Sequence, residues 1–303
     1  MIESGIIVVN KAKDMTSHDC VGIIRRALKI KRVGHTGTLD PMATGVLPIC
    51  VGKATKIADY ISTGEKEYVA GFKLGEKTDT LDITGNVIKR SEVNVSIEEF
   101  TDAVNSFKGI IKQVPPMYSA KKIKGKKLYE LAREGIEIER EPVIIEIPEI
   151  EVKKCDFENN EFEIRVVCSK GTYIRSLIDD LGEKLGCFAV MTSLTRTRSG
   201  IFSLSDSKVI DIMEVKKNGS SVMAKNFISV DKVFDGYKKL ILPYNHEIRF
   251  KNGIKIVVKE LGISGNEDDF LRVYSTTGEF LALGTFVYDE AQRLVLKSVK
   301  SFY

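Results

Sequence analysis

The sequence predicts an α+β fold in which a mixed or antiparallel sheet is flanked by helices and a small β-rich domain follows. Strand-like and helix-like segments occur in an irregular order through roughly the first two hundred residues, which is typical of an α+β core. From residue 248 onward, short alternating runs are separated by glycine and acidic turns, the pattern of short strands. A length of 303 residues corresponds to about two domains. We therefore expect one domain over residues 1–236 and another over residues 237–303.

The first elements each have a local signal. The apolar run at residues 5–9 predicts a buried strand, and Thr16 is placed to cap the helix that follows it. Residues 67–74 alternate between apolar and polar side chains, so they predict a half-buried strand with Tyr68 on its inward face. A capping box begins at Ser96, which predicts another helix after it.

The later part of the first domain begins with a segment that is expected to lie outside the core. Residues 108–141 hold two adjacent prolines, a lysine cluster and only a short helical stretch, so we expect an insertion there. Strand-like segments follow at residues 143–152 and 161–168. The next apolar repeat predicts a helix that ends at Gly186.

Composition excludes several classes of protein. Five cysteines without a CxxC pair argue for reduced thiols and against a disulfide framework. Three histidines without HExxH spacing give no metal-site pattern, so no metal is expected. The apolar run at residues 6–9 is too short for a signal peptide or a membrane span, so we expect a cytoplasmic protein. The net charge of +4 is weak evidence for a nucleic-acid partner, but residues 110–140 hold eight basic against four acidic residues.

Residues 34–48 place one carboxylate, Asp40, in a loop that is rich in glycine, proline and hydroxyl residues. Pro41 fixes its own φ and favours an extended conformation at Asp40, while the glycines allow positive φ or close backbone approach. Such a loop presents its acid rather than burying it. An isolated Leu-Asp-Pro is more often a surface turn, so the functional interpretation depends on the whole segment.

The whole segment matches a known pattern. Residues 37–48 follow GxLDxxATGxLP, which resembles the signature of the TruB-type tRNA pseudouridine synthases. The similarity returns in blocks at residues 5–19, 66–68, 78–80, 115–120 and 168–175. Ala12 and Asp14 stand where the family usually has Pro and Gly, a departure that concerns the shape of a turn. The resemblance implies a pseudouridine synthase core.

Pseudouridine formation breaks the bond between uracil N1 and the sugar, turns the base and rejoins it through C5, and it requires no cofactor. The resemblance gives Asp40 the role of the carboxylate at the sugar, where it either attacks C1′ or removes a C2′ proton. The resemblance also implies that Arg175 is the partner that favours the ionised form of Asp40. It places Arg175 on a strand end, with Tyr173 on the same face. Without the motif, an arginine in this place is typical of a solvated residue that starts a helix. Tyr68 either packs as a core aromatic or stacks on the target base, with its hydroxyl helping to remove the C5 proton.

The resemblance also implies substrate contacts around the pocket. Leu194 matches an apolar wall for the uracil, although Thr195 stands where the family commonly has Arg. Lys11 braces the loop through its backbone or Tyr68, or else is a solvated lysine at the end of a strand. His35 fills the space that an extruded uridine leaves, or else is a satisfied histidine in a glycine-rich turn.

Basic side chains are expected to hold RNA phosphates, although a lysine run by itself is most often a solvated surface. They are Arg25, Arg26, Lys121, Lys122, Lys124 and Lys126. Residues 278–284 and 296–299 resemble the end of a PUA domain, so the second domain is expected to bind RNA as well. The implied partner is the TΨC stem-loop of tRNA, bound by a monomer without an obligate protein partner. Two alternatives stay open: a guide-RNA-dependent relative that works in a complex, and a non-catalytic RNA-binding or tRNA-folding module.

Overall fold

The computed structural model describes residues 4–119, 121–123 and 125–303. Its helices are α1 (Ser17–Leu28), α2 (Ala58–Ser62), α3 (Ile97–Asn105), α4 (Leu128–Arg133), α5 (Ile174–Lys184), α6 (Ile212–Asn218) and α7 (Tyr244–Lys251). Short 3₁₀ helices cover Gly52–Ile57, Gly219–Val222, Val230–Phe234 and Val258–Leu261. Within the described ranges, no helix is long and apolar enough to cross a membrane.

The strands fall into two groups along the chain. The first group is β1 (Gly5–Lys11), β2 (Val33–His35), β3 (Thr44–Val51), β4 (Lys66–Leu74), β5 (Glu76–Thr78), β6 (Val87–Arg90), β7 (Gly109–Gln113), β8 (Lys122–Ile123), β9 (Lys126–Lys127), β10 (Val143–Ile147), β11 (Glu149–Asp156), β12 (Glu161–Cys168), β13 (Ala189–Ser199), β14 (Phe202–Ser203) and β15 (Ile210–Asp211). The second group is β16 (Lys238–Ile241), β17 (Ile256–Val257), β18 (Phe270–Tyr274), β19 (Phe280–Tyr288) and β20 (Leu294–Ser301).

A nine-stranded sheet forms the centre of the first region. Its strands lie in the order β11-β12-β4-β13-β3-β1-β15, with β14 paired to β13 and β2 paired to β3. The β1–β15 and β3–β13 pairs run parallel, whereas the β1–β3, β4–β12 and β4–β13 pairs run antiparallel. The expected α+β class with a mixed sheet is therefore confirmed.

The two faces of this sheet are covered by different parts of the chain. Ile7 and Val9 of β1 lie in a core that they share with α1, α3, α5 and α6. Ile6 and Val8 lie in a second core, together with α2 and with Phe302 from the end of the chain. Successive side chains of a strand point to opposite faces, so β1 serves both cores. Helices cover one face, and the C-terminal region covers part of the other.

The C-terminal region is β-rich, as expected, and has its own sheet in the order β16-β18-β19-β20-β17. A separate core inside it includes Phe250 of α7 and Phe286 of β19. A hydrogen bond between the Tyr60 and Tyr237 hydroxyls joins the two regions. The Lys56 Nζ atom also donates to the Ser301 carbonyl at 2.8 Å.

Two local predictions are wrong. Residues 143–152 form two strands rather than one, because Pro148 between β10 and β11 has no N–H to donate to a ladder. As a result β10 pairs with β7 in a small separate sheet, whereas β11 joins the central sheet. Helix α7 lies partly where we expected only short strands, and it begins directly after Pro243, a residue type that suits a helix start.

Candidate active site

The loop around Asp40 lies between β2 and β3, and its shape comes from contacts on both sides of the acid. The Leu39 N–H donates to the Ser17 Oγ atom at 2.8 Å, and the Leu39 side chain is buried. After the acid, the Ala43 N–H donates to the Asp40 carbonyl at 3.1 Å, which closes a tight turn. Leu39 and Met42 are buried on either side, while the Asp40 side chain keeps 33% of its surface exposed. The loop thus leaves its carboxylate partly exposed.

Arg175 holds Asp40 through a two-pronged ion pair. Its Nε atom lies 2.9 Å from Asp40 Oδ2, and its Nη2 atom donates to Asp40 Oδ1 at 3.2 Å. The remaining donors contact the Thr80 carbonyl at 2.9 Å and the Tyr118 carbonyl at 2.8 Å. Asp82 Oδ2 lies 3.8 Å from Nη1. A guanidinium with a partner on every nitrogen has one orientation, so the carboxylate is held in place while one side remains accessible.

Arg175 lies on helix α5 and not on a strand end, so that expectation is wrong. The alternative of a solvated residue at a helix start is also wrong, because the Arg175 side chain is only 6% exposed. Tyr173 is the extended residue before the helix. Its N–H donates to Gln113 Oε1 at 2.8 Å, and its carbonyl accepts from Gln113 Nε2 at 3.0 Å. Ile174 and Leu177 begin the buried helical face, which explains why the strand-like spacing stops at Tyr173.

Tyr68 and Leu194 lie side by side on the central sheet. Tyr68 of β4 is buried and stands opposite Arg196 of β13, and Leu194 stands opposite Ala70 two pairs further along. Side chains directly opposite on antiparallel strands share a face. Burial raises the pKa of Tyr68, and the Arg196 charge opposes part of that rise. The phenol therefore keeps its proton at neutral pH.

Lys11 is fully buried beneath the loop, so the alternative of a solvated lysine is wrong. Its Nζ atom donates to the carbonyls of Ala12 at 2.9 Å, Met15 at 2.6 Å and Pro41 at 3.1 Å. The last of these contacts ties it to the backbone next to Asp40. Burial lowers the pKa of Lys11, while the charge of Asp40 acts to raise it.

His35 lies half-buried at the start of the same loop. Its Nδ1 atom accepts from the Gly37 N–H at 3.3 Å, and its ring meets the edge of His18 at 5.6 Å between centroids. Burial lowers the pKa of His35, which favours the neutral ring. A satisfied histidine and a filler for an extruded base are both compatible with this geometry.

The basic side chains lie outside the pocket. Arg26, Lys122 and Lys126 are exposed, Lys121 is half-exposed, and the exposed Arg25 also donates to the Val33 carbonyl at 3.3 Å. Lys122 and Lys126 belong to the small β8–β9 hairpin. Lys124 lies outside the described residues.

Several site residues were missed from the sequence. Arg196 and Gln113 are buried and hold the loop and Tyr173, while the buried Asp82 accompanies Arg175. A signal existed for Arg196, because it follows Leu194 by two residues on a strand and so shares its face. Gln113 and Asp82 had none, because their partners lie 60 and 93 positions away along the chain.

Known families match the chain along most of its length. Residues 25–174 match the N-terminal domain of the TruB family pseudouridylate synthases, and residues 175–245 match the C-terminal domain of tRNA pseudouridylate synthase B. The chain is 46% identical over 282 residues to the tRNA pseudouridine synthase B of Clostridium tetani, which covers 93% of this chain and 95% of the relative. It is 45% identical over 280 residues to the enzyme of that name from Clostridium acetobutylicum, covering 92% and 94%.

Solved structures are similar over the whole chain. A Cbf5-Nop10-Gar1 complex contains a chain with a TM-score of 0.71 and 27% identity, matched over 100% of this chain and 86% of that one. An H/ACA RNP bound to a substrate RNA containing 2′-deoxyuridine gives a TM-score of 0.70 at 24% identity, over 99% of this chain and 85% of that one. The second similarity concerns the fold alone.

Proposed function

The chain belongs to the TruB family of pseudouridylate synthases, and we propose that it is a free-standing member that converts uridine 55 in the T loop of tRNA into pseudouridine. Isomerisation of uridine to pseudouridine is the activity of this family. The observation that carries the proposal for this site is the two-pronged Asp40–Arg175 ion pair, whose carboxylate lies close enough to the buried Tyr68 for its charge to act on that phenol.

Asp40 is the carboxylate of the reaction. The ion pair with Arg175 fixes both oxygens, while 33% of the side chain stays exposed and can reach a sugar. In one route Asp40 forms a bond to C1′ as the C1′–N1 bond breaks. In the other it takes a C2′ proton as the same bond breaks. In both routes the bonding electron pair stays on the base, which turns and bonds to C1′ through C5. In the first route the Asp40–C1′ bond breaks at that point, and in the second the proton on Asp40 returns to C2′. The C5 proton is then lost.

Tyr68 is placed to stack on the base. Its ring is buried on the same sheet face as Leu194, and such a ring offers a flat apolar surface to uracil. Because burial raises the pKa of Tyr68, a phenolate is disfavoured at neutral pH. The Tyr68 hydroxyl can therefore help to remove the C5 proton only if it gives up its own proton in the same step.

The other pocket residues hold the substrate or the loop. We assign an apolar uracil contact to Leu194 and a pocket contact to Tyr173, whose backbone Gln113 holds. Lys11 braces the Asp40 loop through the Pro41 carbonyl. His35 fills the place of the extruded uridine, which offsets part of an unstacking cost of about a few kcal/mol.

RNA binding outside the pocket depends on exposed cations and on the second domain. The insertion at residues 108–141 and the α1 arginines offer positive charge to phosphates. We assign residues 237–303 to a PUA-like RNA-binding domain. We propose that the protein acts as a monomer without an obligate partner, in the cytoplasm where it meets tRNA.

A tritium-release assay tests this function. The purified protein is mixed with a bare T-arm stem-loop whose uridines carry tritium at C5, since forming the new bond at C5 expels that atom. We expect release of one tritium per stem-loop, and loss of release when the target uridine is replaced by cytidine. Activity only after addition of a guide RNA and partner proteins would favour the guide-dependent alternative. Binding without release would favour a non-catalytic RNA-binding or tRNA-folding module.

A further inference from the structure

Arg196 is a buried arginine behind the pocket to which the reaction described above gives no role. Only 1% of its surface is exposed. On β13 it stands directly opposite Tyr68 of β4 and next to Gly45 of β3. It therefore lies at the point where the base-facing tyrosine and the Asp40 loop meet.

The Arg196 guanidinium joins the two ends of the Asp40 loop. Its Nε atom donates to the Val46 carbonyl at 2.7 Å, after the acid, and its Nη2 atom donates to the Gly37 carbonyl at 3.3 Å, before it. The backbones of Gly45 and Arg196 are also in close contact. Gly45 has a φ of +105°, and a Cβ atom added to it would lie 2.2 Å from the Arg196 carbonyl oxygen. This contact requires glycine at that position of the loop.

Arg196 belongs to a group of buried cations that, in the described part of the chain, have no ion-pair partner. Among the described residues, no carboxylate oxygen lies within 4.0 Å of Arg196, Lys11 or Lys66, whereas Arg175 has Asp40 and Asp82 within that distance. The three cations are buried and donate to backbone carbonyls instead. Burial lowers the pKa of Lys66 to about 8, and the charge of Arg196 contributes to the decrease. Buried charges without partners are costly, and such a site favours an anion that arrives later.

We propose that Arg196 is a positioning residue for the isomerisation: it fixes the Asp40 loop at both ends and keeps an uncompensated positive charge behind Tyr68, where the uracil becomes an anion. This inference rests on the proposed function. When the C1′–N1 bond breaks, its electron pair remains on the base and spreads onto O2 and O4, whichever route Asp40 follows. A fixed positive charge in a dry site stabilises that developing anion without reorganisation.

The test compares Arg196→Met, Arg196→Lys and, as a control, Arg198→Met. Arg198 lies on the same strand, but its side chain is 34% exposed and pairs with Glu65 at 3.4 Å. Single-turnover rates and RNA dissociation constants are measured with the T-arm stem-loop. We expect Arg196→Met to lower the rate by about 10²-fold or more, in the range for losing one donor aimed at developing charge, with affinity for RNA changed less than about threefold. The lysine variant keeps the charge, so its single-turnover rate should be about tenfold higher than that of the methionine variant. The control should behave as wild type.

A second measurement separates charge from structure and uses the lysine variant if the methionine variant does not fold. Fluorine at C5 stabilises the uracil anion, so a stem-loop with 5-fluorouridine at the target depends less on the enzyme for that purpose. We expect the deficit of Arg196→Lys, relative to wild type, to shrink with this RNA, as measured by chromatography of the digested nucleosides. An equal deficit with both RNAs, a lysine variant as slow as the methionine variant, or a methionine variant within threefold of wild type would each overturn the inference. Loss of activity in the wild type itself would overturn the proposed function instead.

Discussion

The catalytic pocket and the β8–β9 hairpin of the insertion both use cations, but in opposite ways. Arg175 is buried, and its partners lie 57, 95 and 135 positions away along the chain. Lys122 and Lys126 are exposed and lie opposite hairpin neighbours a few positions away. Chemistry on a sugar requires groups held within a narrow geometry, whereas a phosphate requires only charge within reach. Under the proposed function, we therefore expect the same residue class to serve catalysis where it is fixed and RNA binding where it is free.

The largest effect should come from Asp40→Asn. The change keeps the shape of the side chain but removes both the charge and the nucleophilic oxygen, so pseudouridine formation should fall by about 10⁴-fold or more. RNA affinity should change only several-fold, as measured by filter binding beside the tritium assay. Asp14→Asn, the same change at an exposed residue near the loop, is the matched control. Normal turnover by the Asp40 variant would remove this carboxylate from the mechanism.

Arg175→Lys should come next. One ammonium cannot span both Asp40 oxygens and the Thr80 and Tyr118 carbonyls, so the single-turnover rate should fall by about 10²- to 10³-fold. The positive charge remains, and RNA binding should be close to wild type. Arg165→Lys supplies the control, because that arginine also makes a two-pronged contact, with Glu67, and lies on the sheet face opposite to Tyr68. A rate unchanged in the Arg175 variant would mean that the fixed geometry of the ion pair is not required.

The hairpin lysines should have a moderate effect on binding alone. Replacing Lys122 and Lys126 by alanine should weaken RNA binding and flatten its dependence on salt by about 0.7 per lost single-strand phosphate contact. The rate at saturating enzyme should stay the same. Lys153→Ala with Lys154→Ala removes two lysines that already pair with Glu151 and Glu161, so that double variant is the control. A salt slope equal to wild type would show that the hairpin is only a solvated surface.

The smallest effect concerns Asp180 of α5, which faces a cavity between this helix and the insertion. Burial raises the pKa of Asp180 to about 6, with the neighbouring Asp179 adding to the rise. A raised carboxyl pKa contributes stability below the unfolded pKa of about 3.9, and that contribution is lost as the pH rises through about 6. Asp180→Asn should therefore gain stability relative to wild type between pH 4 and pH 7, with little change in activity. Urea unfolding at pH 4 and pH 7 checks this, with Asp59→Asn at an exposed position as the control. A difference in free energy of unfolding between variant and wild type that is the same at both pH values would contradict it.

Much of the fold was predictable because its signals are local. The capping boxes at Thr16 and Ser96 begin helices as expected, since a cap depends on residues three positions apart. The alternation of β4 placed Tyr68 on the buried side. Pro148 shows the opposite case, because the side-chain pattern of residues 143–152 predicts one strand whereas the proline divides it into two.

The sequence by itself determined the family, the α+β class and the loop that presents Asp40, because these depend on residues close together in the chain. Only the tertiary structure placed Arg175 on a helix with its guanidinium on Asp40, and only it buried Arg196 and Lys11 with no carboxylate oxygen of the described residues within 4.0 Å. Those placements depend on which strands pair and in which register, as where β13 meets both β3 and β4. Sheet pairing joins residues more than a hundred positions apart, and no local pattern of side chains records which partner they meet.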